Sequence, residues 1–190
     1  MLFTKENSLE EIFQSVKHEL HRGALDAKHP FRFVTLATKS ENGVDARYVV
    51  VRSIDEELNI FFFTDGRTSK VKQLVSFPDM ALLFYHPAKR TQIKILGKAL
   101  IHSNDEFKAK FWSKIQVEGQ KAYNQILVPG SAIQDPSEAF AWNEPLTVTN
   151  FTLIQVKPIE IDALQLKGNE HLRVLFKLQE NRWKKKWIAP

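Results

Sequence analysis

Residues 47 to 70 read RYVVVRSIDEELNIFFFTDGRTSK, with basic and hydroxyl side chains at both ends of two apolar runs. At the far end Thr64, Asp65, Gly66, Arg67, Thr68, Ser69 and Lys70 fall where a strand gives way to a helix. Backbone N–H groups, hydroxyls and two cations converging on a helix start can hold a phosphate. The same residues also suit an ordinary N-cap at Thr68 with Arg67 and Lys70 solvated, and the turn by itself favours that plainer arrangement. At the near end Arg47 and Arg52 flank YVVV, so a flat strand points them to opposite faces. An inward Arg47 needs an anion to neutralise it, whereas an outward one merely ends the strand. Gln92, in KRTQIKI, carries an amide that donates and accepts, which suits the edge of a ring bearing carbonyl and imide groups, although strand glutamines are commonly just exposed. His171 and Arg173 share one strand face, as a substrate wall or as charges guarding a solvated edge.

Other chemistries are poorly served. The chain has no cysteine, which removes disulfides, zinc–cysteine sites, iron–sulfur clusters and thiol catalysis together. Its six histidines, His18, His21, His29, His86, His102 and His171, follow no recognised metal-ligand spacing, so no dedicated metal site is expected. GxSxG elbows, P-loops and glycine-rich Rossmann turns are missing too. An enzyme built this way borrows its reactive group from a cofactor. A net charge of +5 over 190 residues favours anionic partners without choosing among them. The run Lys184 to Lys186 is bracketed by Trp183 and Trp187, which reads better as a docked terminal strand than as a nucleic-acid contact. The apolar runs are too short to cross a bilayer, and the acidic MLFTKENSLEEIF start is unlike a secretory signal. The expectation is a cytoplasmic protein that binds neither nucleic acid nor membrane.

The elements that must position these residues are mostly strands. Ser8 and Glu11 make a capping box for a helix over 8–20, striped by Leu9, Ile12, Phe13, Val16 and Leu20. From Phe31 the period becomes that of strands, and FRFVTLATK, VDARYVVVRS and LNIFFFT suggest a three-strand meander. A short helix through SKVKQLVSF precedes the strands MALLFYH and TQIKILGKALIH, the latter with Gly97 suited to a bulge. Ser103 and Glu106 would make a second capping box, opening a helix over 103–117, and a polar segment from Leu127 to Pro145 follows as a loop. FTLIQVKPIEIDALQL, HLRVLFKL and RWKKKWIAP complete about seven strands. One domain over 1–190 is expected, mainly antiparallel β with flanking helices, as a barrel or sandwich.

Five pieces in order, RYVVVR, FFFTDGRTSKVKQL, RTQIKILGKA, GNEHLRVLF and WKKKWIAP, resemble the pyridoxamine 5'-phosphate oxidase family of FMN-binding split barrels, from about residue 31 to the end. The resemblance implies a homodimer with FMN at the subunit interface and a small-molecule substrate. Arg47 would bind the FMN phosphate, with Tyr48, Val49 and Val50 along the cofactor strand and Phe63 and Thr64 lining it. Thr68, Ser69 and Lys70 take the places of a serine–arginine–lysine phosphate grip, with Arg67 displaced from the family arginine and standing in for it. Gln92 would bond the flavin ring, and Gly130 and Ser131 align with a polar pair from the other subunit.

Arg52 stands where the true oxidases carry a lysine that touches the substrate phosphate. Their tyrosine–arginine–serine cluster has no counterpart in FWSKIQVEGQKAYN, and their Arg-x-His pair appears as His171-x-Arg173. Their tryptophan before the glycine turn is missing from LQLK, and a flavin-contacting arginine is Leu175. The expected function is therefore an FMN-dependent oxidoreductase of this family with another substrate, His171 and Arg173 lying on the substrate side. The alternatives are a genuine pyridoxamine/pyridoxine 5'-phosphate oxidase and a non-catalytic flavin binder.

Overall fold

The structure is a computed structural model that describes residues 1–102 and 105–190. Helix α1, Leu9–Leu25, starts on the expected capping box: the Ser8 hydroxyl accepts from the Glu11 amide while the Glu11 carboxylate accepts from the Ser8 amide. Its stripe buries Ile12, Phe13, Val16 and Leu20, with Phe13 against the rings of Phe176 and Trp183 at 5.0 and 5.6 Å. The helix outruns the expected 8–20 because Gly23 and Ala24 let it lie against a 3₁₀ turn, Pro30–Arg32. A Cβ on Gly23 would come within 2.6 Å of Phe31 Cβ.

The strands are β1 (Phe33–Ser40), β2 (Gly43–Val50), β3 (Ser53–Ile54), β4 (Ile60–Asp65), β5 (Asp79–His86), β6 (Thr91–His102), β7 (Phe151–Gln165), β8 (Leu172–Gln179) and β9 (Arg182–Ile188). All pair antiparallel along the path β2-β1-β5-β6-β7-β4-β3, with β8 branching from β7 and β9 from β8. This is the split barrel with flanking helices that the resemblance implied, and its ladder does not close. The expected meander is corrected, because β4 pairs with β7 and not with β2. The Val51 amide is taken by the Arg32 carbonyl and the Arg52 amide by the Phe61 carbonyl, so the chain leaves the β2 ladder there.

Cross-strand partners share a face, which fixes what each strand presents. Arg47, Leu36, Leu82, Ile95, Ile161 and Phe176 form one row across the sheet, and from Leu36 onward it is core. Tyr48, Thr35, Leu83, Lys94, Asp162, Leu175 and Lys186 form the adjacent row on the outer face.

Between β4 and β5 lies helix α2, Ser69–Ser76. After β6 come α3, Asp105–Trp112, and α4, Val117–Gln120. The single helix expected over 103–117 is corrected to these two pieces. The chain tightens to i,i+3 bonds at Lys114 and Ile115, and the Gln120 side chain donates to the carbonyls of Trp112 and Ile115, closing the end of α3. Ser103, named as its cap, lies outside the described residues.

The bulge expected at Gly97 is present, as the β6–β7 register shifts between Leu96 and Gly97. A Cβ there would sit 2.6 Å from the Lys157 carbonyl oxygen and 3.0 Å from Val156 Cγ1. Gly97→Ala is therefore expected to destabilise the fold by about 1–3 kcal/mol, read as a lower urea midpoint at an unchanged m-value.

Candidate functional site

At the start of α2 the sheet brings two cations together. Arg47 projects from β2 on the core face, where it donates to Thr38 Oγ1 and, at 3.0 Å, to Gln73 Oε1, and pairs with Asp45. Gln73 holds the arrangement by accepting from the Thr38 hydroxyl at 2.6 Å and donating to Asp45 at 3.0 Å. Its bond is the first cause that keeps the Asp45 carboxyl below its ordinary value, helped by Arg47. Lys70, in the first turn of α2, reaches back to Thr64 Oγ1 at 3.0 Å, its single hydrogen bond among the described residues. Burial, and then the neighbouring Arg47 charge, hold the Lys70 ammonium below the usual lysine range. A cation kept in such a place at such a cost is stabilised by an incoming anion.

The other residues of the turn are committed differently. Arg67 forks onto the buried Asp65 carboxylate, with Nη2–Oδ2 at 2.7 Å, and also donates to the Gln125 carbonyl at 2.8 Å, tying the turn to the 125–126 segment. Thr68 occupies the N-cap position, but its hydroxyl donates to the Asp65 carbonyl at 2.8 Å and leaves the helix without a side-chain cap. Ser69 is exposed beside it.

Past the strand end lies a second feature, a cavity of about 550 Å³ lined by Arg52, Phe63, Phe111, Lys114, Gln116 and Tyr123 among others. The Arg52 guanidinium lies over the Phe63 ring at 5.4 Å and also reaches the Tyr123 hydroxyl, whose pKa burial raises despite that contact. The cavity thus offers two cations, a phenol and aromatic walls, a lining suited to a flat molecule carrying negative charge. Tyr123 and Lys114 escaped the sequence reading, since nothing in their spacing ties them to Arg52. Gln73 escaped it too, and its only signal was its place one turn into the helix that carries Lys70.

Several expected residues lie elsewhere. Gln92 is on the outer face, opposite Tyr85 and Leu164, and Arg173 faces Leu164 from the next strand. Arg173 forks onto Asp162, with Nε–Oδ1 at 2.9 Å and Nη2–Oδ2 at 2.7 Å, and Lys94 joins the same carboxylate at 3.0 Å. Burial would raise the Asp162 carboxyl, but these two cations outweigh it and leave it below its ordinary value. His171 is exposed and its Nδ1 accepts from the Lys167 amide at 3.3 Å. Gly130 and Ser131 sit on an exposed loop, Tyr48 is exposed, Val50 is half-buried and Val49 is buried. The chain alone therefore joins Arg47, Thr64 and Lys70 in one place and Arg52 and Phe63 in another, while Gln92, His171, Arg173 and the 130–131 loop stand apart from both.

The model of the pyridoxamine 5'-phosphate oxidase FMN-binding domain matches residues 10–103. The chain belongs to the pyridoxamine 5'-phosphate oxidase-like family. Among curated members, a pyridoxine/pyridoxamine 5'-phosphate oxidase of Granulibacter bethesdensis is 34% identical over 99 residues, 48% of this chain and 46% of that one. The match thus spans less than half the length of that relative. One of Legionella pneumophila is 24% identical over 177 residues, 87% of this chain and 81% of the other. Among solved structures, a pyridoxamine 5'-phosphate oxidase-related, FMN binding protein of Nostoc punctiforme superposes with a TM-score of 0.77 at 25% identity, covering 93% and 96% of the two chains. PhzG of Burkholderia lata shares the fold, with a TM-score of 0.70 at 18% identity over 96% and 90% of the chains.

Proposed function

We propose that this chain binds FMN and acts as an FMN-dependent oxidoreductase on a small, flat, anionic substrate. The observation that carries the reading is the half-buried Lys70 ammonium beside Arg47, a cation pair placed where a strand ends and a helix begins. Such a pair suits a phosphate dianion, and membership of a family whose model is an FMN-binding domain supports naming it the FMN phosphate. Arg47 and Lys70 would grip that phosphate with Thr64 beside them, Thr68 and Ser69 would flank it, and Gln73 would keep Arg47 aimed. Arg67, committed to Asp65, instead ties the turn to the 125–126 segment. FMN supplies reversible two-electron chemistry. The protein supplies the pocket: Arg52, Lys114 and Tyr123 orient the substrate's negative charge, and the walls of Phe63 and Phe111 exclude water from its ring.

The reading includes a homodimer. Phe33, Tyr48, Leu83 and Tyr85 expose 57%, 75%, 40% and 49% of their surface on the outer face that also carries Gln92 and Arg173. A second copy would cover that apolar patch and bring Gln92, Arg173 and the 130–131 loop toward the partner's cofactor. Tyr48→Glu with Leu83→Glu is expected to halve the mass seen by light scattering; an unchanged mass would place the interface elsewhere.

Purified protein incubated with FMN and desalted is expected to keep flavin absorption bands, and a colourless protein overturns the reading. Lys70→Met should weaken the FMN Kd about 10- to 150-fold, the value of a charged hydrogen bond of about 1.5–3 kcal/mol.

Pyridoxamine 5'-phosphate fits the pocket's chemistry and is the second reading, favoured by the curated relatives that bear the oxidase name. Aerobic turnover to pyridoxal 5'-phosphate and peroxide would establish it, and its absence with FMN bound would end it. Whichever substrate serves, Arg52→Ala should raise KM about 10- to 150-fold at an unchanged FMN Kd, on the same charged-bond scale.

A further inference from the structure

Outside both features, three polar side chains that the sequence scatters meet in the core. Glu19 of α1, His29 at the head of the 3₁₀ turn and His86 at the end of β5 expose 1%, 4% and 8% of their surface. Glu19 Oε2 lies 3.4 Å from His29 Nε2 and 3.6 Å from His86 Nε2, with the Lys89 ammonium at 2.6 Å. The two rings stand edge to face at 5.5 Å, and Phe31 packs on both. Neither Glu19 Oε2 nor His29 Nε2 has an aligned hydrogen-bond partner, so the group is held by charge and packing.

The far side of each ring decides what the cluster can do. His29 Nδ1 accepts the Phe31 amide at 3.1 Å, and His86 Nδ1 accepts the Lys89 amide at 3.2 Å. A nitrogen that accepts an N–H has no proton of its own, so both neutral rings carry theirs on Nε2, facing Glu19. A metal ion would need the Nε2 lone pairs and would drive each proton onto Nδ1, head-on against a backbone amide, the reverse of the outward donation that metal-bound histidines make. Lys89 already neutralises the carboxylate. The cluster is built for neutral imidazoles.

We propose that Glu19, His29 and His86 form an acid-sensitive fastener that docks α1 on the barrel, because an imidazolium at either position must place a proton against the amide that its Nδ1 now accepts. Protonation breaks the cap of the Pro30–Arg32 turn at Phe31 and the turn between β5 and β6 at Lys89, the two segments that α1 is fastened to through Glu19. The facing charges are Glu19 and Arg22 on α1, Asp26 after it, and Lys89 on the β5–β6 turn. Burial is the largest influence on both rings and, against the opposing pull of Glu19, leaves them below the ordinary histidine value. For Glu19 burial pulls upward, but the Lys89 ammonium above all, with Arg22 beside it, keeps the carboxyl low. Protons reach the group beside Lys89, where a cavity of about 370 Å³ lined by Leu2, Gln14, His18 and Glu19 opens to solvent.

The direction follows from linkage. A histidine whose folded value is depressed leaves the unfolded chain binding more protons, so stability is full above the unfolded value of about 6.5 and is lost as pH falls below it. From pH 7.5 to 5.5 the folding equilibrium constant should drop by up to about tenfold per ring and up to about a hundredfold for both, the limits reached when the folded rings stay neutral, in a window above the titration of unfolded carboxylates. Urea unfolding of the full chain at the two pH values reads this, and hydrogen exchange should show the α1 amides opening first. In His29→Asn with His86→Asn, the amide oxygens keep accepting the backbone N–H groups but cannot be protonated, so the step should vanish. A wild-type constant that is flat across the window, or a step that survives in the double variant, overturns the proposal. Should the variant not fold, imidazole ¹⁵N spectra of the wild type decide: both rings should carry their proton on Nε2 and stay neutral until the α1 amides open. A ring that protonates while those amides remain protected overturns it, as does equimolar zinc chloride raising the wild-type Tm.

Discussion

The fold depends on one strand that changes partners. Along one edge β7 pairs with β6 from Leu153 to Gln165, while its other edge serves β4 from Phe151 to Val156 and β8 from Glu160 to Gln165. Between those halves stands Pro158, which has no N–H to leave unpaired, opposite Gly97, whose missing Cβ lets the β6 backbone close on Lys157. The bulge bends the pair, one half of the sheet turns toward β4 and the other toward β8, and the barrel is split there. Both candidate features depend on that choice, since pairing with β7 brings β4, and with it Thr64, Phe63 and the start of α2, to the β2 side of the molecule.

Charge is distributed on this frame with different degrees of compensation. Arg173 and Lys94 share the buried Asp162, and Arg67 is matched by Asp65. Arg47 is matched by the half-exposed Asp45. Lys70 has a hydroxyl and a like-charged neighbour. A half-buried cation whose nearest carboxylates, Asp65 and Asp45, are already paired with Arg67 and Arg47 is costly, which makes the Lys70 corner the place where a bound anion stabilises the fold as well as the ligand. The Glu19 cluster follows the opposite logic: its carboxylate has its cation in Lys89, and the two histidines are held neutral by the amides behind them. Arg32, the last residue of the turn that His29 heads, gives its carbonyl to Val51, next to Arg52 of the pocket. The docking of α1 and the pocket mouth therefore share a backbone connection.

The sequence by itself determined the local elements and the family. Ser8 with Glu11 and the Leu9-to-Leu20 stripe specify α1, alternation specifies the strands, and the Gly97 bulge and the docked terminal strand are legible because each follows from chemistry within a few residues. Lys70 and Arg47 were legible as candidate phosphate ligands from their types and from the motif order. Only the tertiary structure decided the pairing of β4 with β7 in place of β2, the break of the 103–117 helix, the commitment of Arg67 to Asp65 and of Arg173 to Asp162, and the meeting of His29 and His86 on Glu19. Each of these joins residues tens of positions apart, or turns on which of two nearby groups takes a carbonyl or carboxylate. Local periodicity carries no record of such competition, because its outcome is set by which long-range ladder buries the most apolar surface and leaves the fewest backbone groups unpaired.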